Sequence, residues 1–148
     1  MATTDTQPSQ ENVEIARRVA EEAWGEGELD VIDEYLADDF VSHNTGAPEP
    51  VRGREAYEEL IGQYRSAMPD MTVEVEESFV AGDRVALRFE ITGTHDGELM
   101  GIEPTGTAVH GEGLAIAHFS DGKVVEVWEY ADQLGLLQQL GVVSLPGE

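Results

Sequence analysis

The 148-residue chain has no cysteine and a single lysine, Lys123. Without cysteine there is no disulfide, no thiol nucleophile and no thiolate metal ligand. Basic residues number 8 against 31 acidic ones, for a formal net charge of −23. A field of that sign repels phosphate backbones and anionic headgroups, which argues against nucleic-acid and membrane partners. No run approaches the roughly 18 apolar residues of a membrane span. The opening "MATTDTQPSQ" has neither the basic start nor the apolar centre of a secretory signal, so a cytoplasmic protein is expected. The four histidines, His43, His95, His110 and His118, show no H-x-H or H-E-x-x-H spacing. Nucleophile-elbow, Walker and dinucleotide fingerprints are missing too. The expectation is a protein with no metal and no cofactor.

What is present is a globular composition, 41% hydrophobic, of a length that suits one domain. The acids are spread along the chain rather than massed in a tail. Their mutual repulsion is screened only in concentrated salt, where the Debye length falls to about 3 Å, so a salt-adapted protein is expected.

Periodicity divides the chain. Residues 1–9 read as a loose tail, 10–143 as the domain, and 144–148 as a second tail. Ser9 is placed to cap a helix reaching residue 24, with Val13, Ala16, Ala20 and Ala23 on one face. "VIDEYL" reads as a short second helix capped by Asp30, "DDFVSHN" as an extended exit, and "TGAPEPVRG" as a loop. A third helix is predicted over 54–68, with Tyr57, Leu60, Ile61 and Tyr64 on its buried side and Pro69 as its stop. "MTVEVEE", "RVALRFEITGT", "AVHGEGLAIAHF" and "KVVEVWEYA" alternate as strands, the last two joined across "SDG". The loop "HDGELMGIEPTG" carries the punctuation of a pocket rim. A last helix is predicted over 132–140. The order gives an α+β fold, with N-terminal helices packed on a curved antiparallel sheet and a short C-terminal helix. The mouth of such a cone is a natural apolar pocket.

Three segments resemble one family. "ARRVAEEAWGEGELDVIDEYLADDF", "GTHDGELMGIEPTGTAVHGEG" and "FSDGKVVEVWEYADQLGLLQQLG" are similar to the opening helical pair, the G-T-H segment and the closing strand and helix of SnoaL-like polyketide (ester) cyclases, in the NTF2-like superfamily. The resemblance spans about residues 11–143. It implies a cone-shaped homodimer catalysing an aldol ring closure without metal or cofactor, on a small apolar carbonyl compound.

Within that frame one side chain stands out. Glu129 interrupts a valine-rich strand, and a three-residue "SDG" loop would set Gly113 across from Glu129 and Ala115 across from Val127. Gly113, Ala115, Ala117, Val125, Val127 and Glu129 then share a face, and the small residues leave room for a ligand. Burial there would raise the carboxyl pKa and fit Glu129 for moving protons between carbon and oxygen. The family's acid/base residue at this position is an aspartate. Its characterised members carry a glutamine and a histidine where this chain has Gly113 and Ala115. The resemblance marks Trp24, His43, Asn44 and His95 as substrate-binding candidates, and Phe40 joins them as a residue that could close the cavity. Tyr64 and Tyr57, on the buried side of the third helix, read as core with hydroxyls that could reach the cavity, and Tyr64 is counted with the candidates. Each has an ordinary alternative as core or turn. His118, opposite Glu129 in face, reads as structural or interfacial. The rival functions are a proton-shuttling isomerase on the same cone and a non-catalytic module for small-ligand binding or dimerisation.

Overall fold

The computed structural model describes residues 3–45, 47–144 and 146–147. Helix α1 spans Thr3–Arg18 and continues as a π-helical segment, Val19–Trp24. α2 covers Asp30–Tyr35, β1 Leu36–Asn44 and β2 Val51–Arg52. α3 is Arg54–Ala67, followed by β3 Thr72–Ala81, β4 Arg84–Thr94, β5 Ala108–Ser120, β6 Lys123–Ala131 and α4 Gln133–Gln139.

The six strands form one sheet in the order β2-β1-β6-β5-β4-β3. It is mixed rather than purely antiparallel, because β1 runs parallel to β6. The reason is topological: β1 leaves the helical layer and enters the sheet beside the last strand, while β3 to β6 form an antiparallel meander. Register shifts between Leu36 and Val41, between Val75 and Glu77, and between His118 and Phe119 bend the sheet around the helices. The amide of Val75, at one shift, is satisfied by Oε2 of Glu21 at 2.9 Å, which ties the π-helical segment to the bent strand.

The helix boundaries depart from the sequence reading at two starts. Helix α1 begins at Thr3, upstream of Ser9, so residues 3–9 are helical where a loose tail was expected; no glycine interrupts the chain before Gly25. Met1, Ala2, Leu145 and Glu148 of the two expected tails, and Gly46 of the "TGAPEPVRG" loop, lie outside the described residues. Asp30 opens α2 as its first residue, with Leu29 at the cap and no side-chain cap bond. At the other end of the chain Asp132 does cap α4, accepting from the Gly135 amide at 2.8 Å.

Two apolar clusters fill the space between helices and sheet. The larger joins Ile32, Leu36, Phe40, Tyr57 and Ile61 to the inward residues of β4 to β6. The smaller joins Ala67, Met68, Met71, Leu99, Val109 and Leu140. Arg65 locks the region between them: its guanidinium donates to the carbonyls of Trp24 and Met71 at 2.9 Å each and of Pro69 at 3.1 Å. Three segments thereby converge at the end of α3 that carries Tyr64.

The hairpin that carries Glu129 turns more tightly than expected. Ser120 pairs with Lys123, so the loop is the two residues Asp121 and Gly122, both at positive φ (52° and 77°). Such a turn matches strand twist and favours Asp-Gly. Val125 is then the extra residue of the bulge, since Phe119 pairs with Val124 and His118 with Glu126. The combination moves the register by two residues. Ala115 lies across from Glu129, Ala117 from Val127 and Gly113 from Ala131. A shift of two preserves the face of every residue beyond the bulge. Glu129 still points inward, but Val124 takes the inward place expected for Val125.

Candidate active site

A cavity of about 130 Å³ opens inside the curve of the sheet. Its walls are mostly apolar and come from the π-helical segment, α3, β1, β3 to β6 and the start of α4. For scale, an engineered cavity of about 150 Å³ accepts benzene.

Strand β1 supplies alternate residues. Phe40, Ser42 and Asn44 point inward because strand side chains alternate with period two. In the parallel ladder Asn44 is in register with Glu129 and Ser42 with Val127, so Asn44 and the carboxylate are neighbours on one face. Glu129 Oε1 accepts from Ser42 Oγ and from Asn44 Nδ2, each at 3.1 Å. Its Oε2 accepts from the Tyr57 hydroxyl at 2.6 Å. Tyr57 is fully buried, and its oxygen accepts in turn from Trp24 Nε1 at 2.8 Å.

These contacts set the protonation chemistry. Burial raises the Glu129 pKa above the usual carboxylate range, and the hydrogen bonds from Tyr57, Asn44 and Ser42 oppose that shift without cancelling it. Burial, then the neighbouring Glu129 charge, push Tyr57 well above its ordinary value, so it stays a neutral donor. A carboxylate offers about four lone-pair sites. Three are occupied by these donors, and among the described residues no further donor reaches Oε2. Glu129 keeps some accessible surface, and it is a lining residue of the cavity.

The sequence candidates divide clearly. Trp24, Phe40, Asn44, Tyr64 and Glu129 all line the cavity. His43 does not: it is one residue out of phase with Ser42 and Asn44, and lies on the outer face. There it stacks on Trp128 at 5.3 Å between ring centroids and meets Glu126 Oε2 at 2.6 Å. His95 is buried away from the cavity. Its Nδ1 accepts from the Thr105 amide at 3.2 Å and contacts Thr105 Oγ1 at 3.0 Å, closing the loop between β4 and β5. That loop folds onto the end of α3, where the amides of Asp96 and Gly97 both donate to the Ala67 carbonyl at 2.9 Å. It buries Leu99 in the smaller cluster and is not part of the cavity lining, contrary to the expected pocket rim. His118 is on the outer face, with Nε2 3.0 Å from Asp83 Oδ2.

The sequence does not single out Ser42 and Tyr57 as site residues, and it places Tyr57 on the buried side of its helix. Both were findable. Ser42 shares parity with Phe40 and Asn44, and Tyr57 stands seven residues before Tyr64 on the same helix face.

At Gly113 strand β5 has no room for a side chain. A Cβ added at Gly113 would lie 2.6 Å from Cζ of Phe89 and 2.8 Å from the Tyr130 carbonyl oxygen. The Phe89 ring thus occupies the space a side chain at position 113 would need. Among the described residues no cluster of three His, Asp or Glu side chains is arranged to hold a metal ion, and no helix is long and apolar enough to cross a membrane.

Helices wrapped by a curved, open sheet around a largely apolar cavity define a cone-type α+β fold. The profile of the SnoaL-like polyketide cyclase family matches residues 14–140, and the chain belongs to that family. It is similar to the aklanonic acid methyl ester cyclase of Streptomyces galilaeus, at 28% identity over 135 residues covering 88% of this chain and 91% of that protein. It superimposes on the crystal structure of a candidate SnoaL-like polyketide cyclase from Jannaschia sp. CCS1 with a TM-score of 0.85 at 27% identity, covering 93% of this chain and 96% of that one. A Catenulispora acidiphila protein with a ketosteroid isomerase-like fold shares the architecture alone, with a TM-score of 0.74 at 17% identity over 88% and 94% of the two chains.

Proposed function

We propose that this chain catalyses a cofactor-independent, intramolecular aldol-type ring closure on a small apolar carbonyl compound, with Glu129 as the acid/base group. The observation that carries the reading is the placement of Glu129. Its carboxyl has a raised pKa, is fixed by three donors, and faces a largely apolar cavity in a chain of the cyclase family. Ionised Glu129 removes a proton from a carbon flanked by carbonyls. The resulting enolate carbon attacks a second carbonyl of the same molecule, forming the ring C–C bond. Glu129 then returns its proton to the new alkoxide, and the carboxylate is restored. The walls hold the substrate folded, so proximity supplies much of the rate. Trp24, Phe40, Asn44 and Tyr64 contact the substrate in this reading.

The starting test is turnover of aklanonic acid methyl ester, the compound in the relative's name, by wild type and by Glu129→Gln. Ring closure should be detected with wild type and fall by about 10²- to 10⁴-fold in the variant. Equal rates would remove Glu129 from the chemistry.

The same reading makes the chain a homodimer through the outer face of the sheet. Phe79, Ala86, Ile116, Trp128 and His43 form one continuous cross-strand row there. Phe79 is 65% exposed and the neighbouring Leu114 58% exposed, which supports an apolar contact surface. The excess of acid supports a salt-rich cytoplasm as its setting.

A further inference from the structure

We infer that Tyr64 and Gln133 form a second polar pole of the cavity, a subsite for a hydroxyl group carried at the end of the ligand remote from its reacting carbon. The inference rests on the cavity being the ligand site proposed above.

Besides His110 and Asp132 on its lining, the cavity has polar side chains at two places with different standing. Around Glu129 both carboxylate oxygens already accept hydrogen bonds from protein donors. At the other place the Tyr64 hydroxyl and Gln133 Oε1 are buried with no hydrogen-bond partner. Both residues line the cavity. The two side chains are neighbours. Burial raises the pKa of the Tyr64 hydroxyl, and the Gln133 carboxamide lies close enough to oppose that rise as a hydrogen-bonding group, although no bond of ordinary length and angle joins the two side chains. Buried polar atoms left unpaired are uncommon and costly, so a pair of them on one cavity wall points to a partner that arrives with the ligand.

The spacing defines what that partner is attached to. Tyr57 and Tyr64 are two turns apart on α3, about 10 Å along its axis. The indole of Trp24 meets both, with ring centroids 5.7 Å from Tyr57 and 5.9 Å from Tyr64. One wall therefore reads, in order, acid, phenol, indole, phenol, carboxamide. The middle is an aromatic surface suited to a flat apolar skeleton. The far end offers an O–H donor from Tyr64 and an acceptor from Gln133, which together match an alcohol or phenol. Rotating the carboxamide by 180° would present its NH₂ and suit a carbonyl instead. The opposite wall offers no competing partner where Phe89 covers Gly113. The ligand class is thus a flat carbonyl compound with a hydroxyl at the end remote from the carbon that loses its proton.

Phenol and toluene, matched in size, test the subsite by NMR-detected titration of wild type, Tyr64→Phe, Gln133→Leu and Glu129→Gln. The affinity ratio of phenol to toluene should fall by about three- to tenfold in each of the first two variants, the loss of one hydrogen bond, and hold in Glu129→Gln. Tyr64→Phe removes a buried hydroxyl, and Gln133→Leu a buried carbonyl oxygen, that have no hydrogen-bond partner of ordinary length, so both should fold as wild type does. An unchanged ratio in both, a ratio altered in Glu129→Gln alone, or no binding of phenol to wild type would overturn the subsite. The readout needs no turnover. A failed cyclase assay with an intact phenol response would count against the proposed reaction and leave the subsite standing.

Discussion

The Tyr57 hydroxyl donates to Glu129 Oε2 across 2.6 Å, joining residues 72 positions apart in the chain. This contact couples α3 to β6 and sets the basicity of the carboxylate. Because the hydrogen bond lowers the Glu129 pKa, removing it should raise that pKa further. General-base action needs the ionised form. In Tyr57→Phe the acidic limb of kcat/KM against pH should therefore move to higher pH. The variant also strands the Trp24 Nε1–H, at a cost of about 1–3 kcal/mol in stability. A pH profile superimposable on that of wild type would contradict the coupling.

Folding stability should carry the same signature. Glu129 has a higher pKa folded than unfolded, so between the two values the folded state binds more protons. Its contribution is fully present below the ordinary glutamate range and is lost as pH rises through the folded pKa. Glu129→Gln lacks that loss. The Tm of the variant relative to wild type should climb as pH rises from about 4 toward neutrality, near and above the free-glutamate value of about 4.3. Taking the difference at high salt removes most of the effect of the other acids. A constant or falling difference would contradict the raised pKa.

The exchange of space between Phe89 and position 113 is open to a double-mutant cycle. Gly113→Ala should cost about 1–3 kcal/mol through overpacking against the Phe89 ring. With Phe89→Leu as background the penalty should shrink, giving a coupling above about 0.5 kcal/mol by chemical denaturation. Additive effects would mean that the ring does not close that wall.

Much of this architecture was legible in the sequence, for identifiable reasons. Period-two alternation in "RVALRFEITGT" and "KVVEVWEYA" placed Val85, Leu87, Phe89 and Glu129 on the inner face, and the stop signal at Pro69 marked a real boundary, whereas the caps read at Ser9 and Asp30 did not. Three things were hidden. The bulge at Val125 and the two-residue turn depend on twist, which a strand pattern does not encode, and together they moved the pairing by two. The parallel partnership of β1 and β6 is a long-range choice that puts Asn44 beside Glu129. The family resemblance suggested both His43 and Asn44 for the pocket, but neighbours on a strand cannot face the same way. The polar partners of Glu129 come from β1 and α3, so sequence proximity could not assemble them.

The charge balance makes a prediction about solution behaviour. With a formal charge of −23, the folded chain repels itself in dilute buffer, and the Debye length shortens from about 10 Å at 0.1 M salt to about 3 Å at 1 M. The Tm should rise steadily from dilute to molar KCl. A flat response would contradict salt adaptation.

The outer face of the sheet can be tested by a single charge. Ile116 is 43% exposed beside Trp128 in the cross-strand row, so Ile116→Asp should leave the fold intact. Sedimentation should show a dimer for wild type and a monomer for the variant. A monomeric wild type would contradict that surface as the dimer contact.

The most direct measurement is a ¹³C-NMR titration of the glutamate carboxyls, with Glu129→Gln used to assign the resonance. The Glu129 signal should titrate above the ordinary glutamate value of about 4.3 and shift when a carbonyl ligand fills the cavity. A midpoint at or below that value, indifferent to ligand, would contradict the role assigned to this carboxylate.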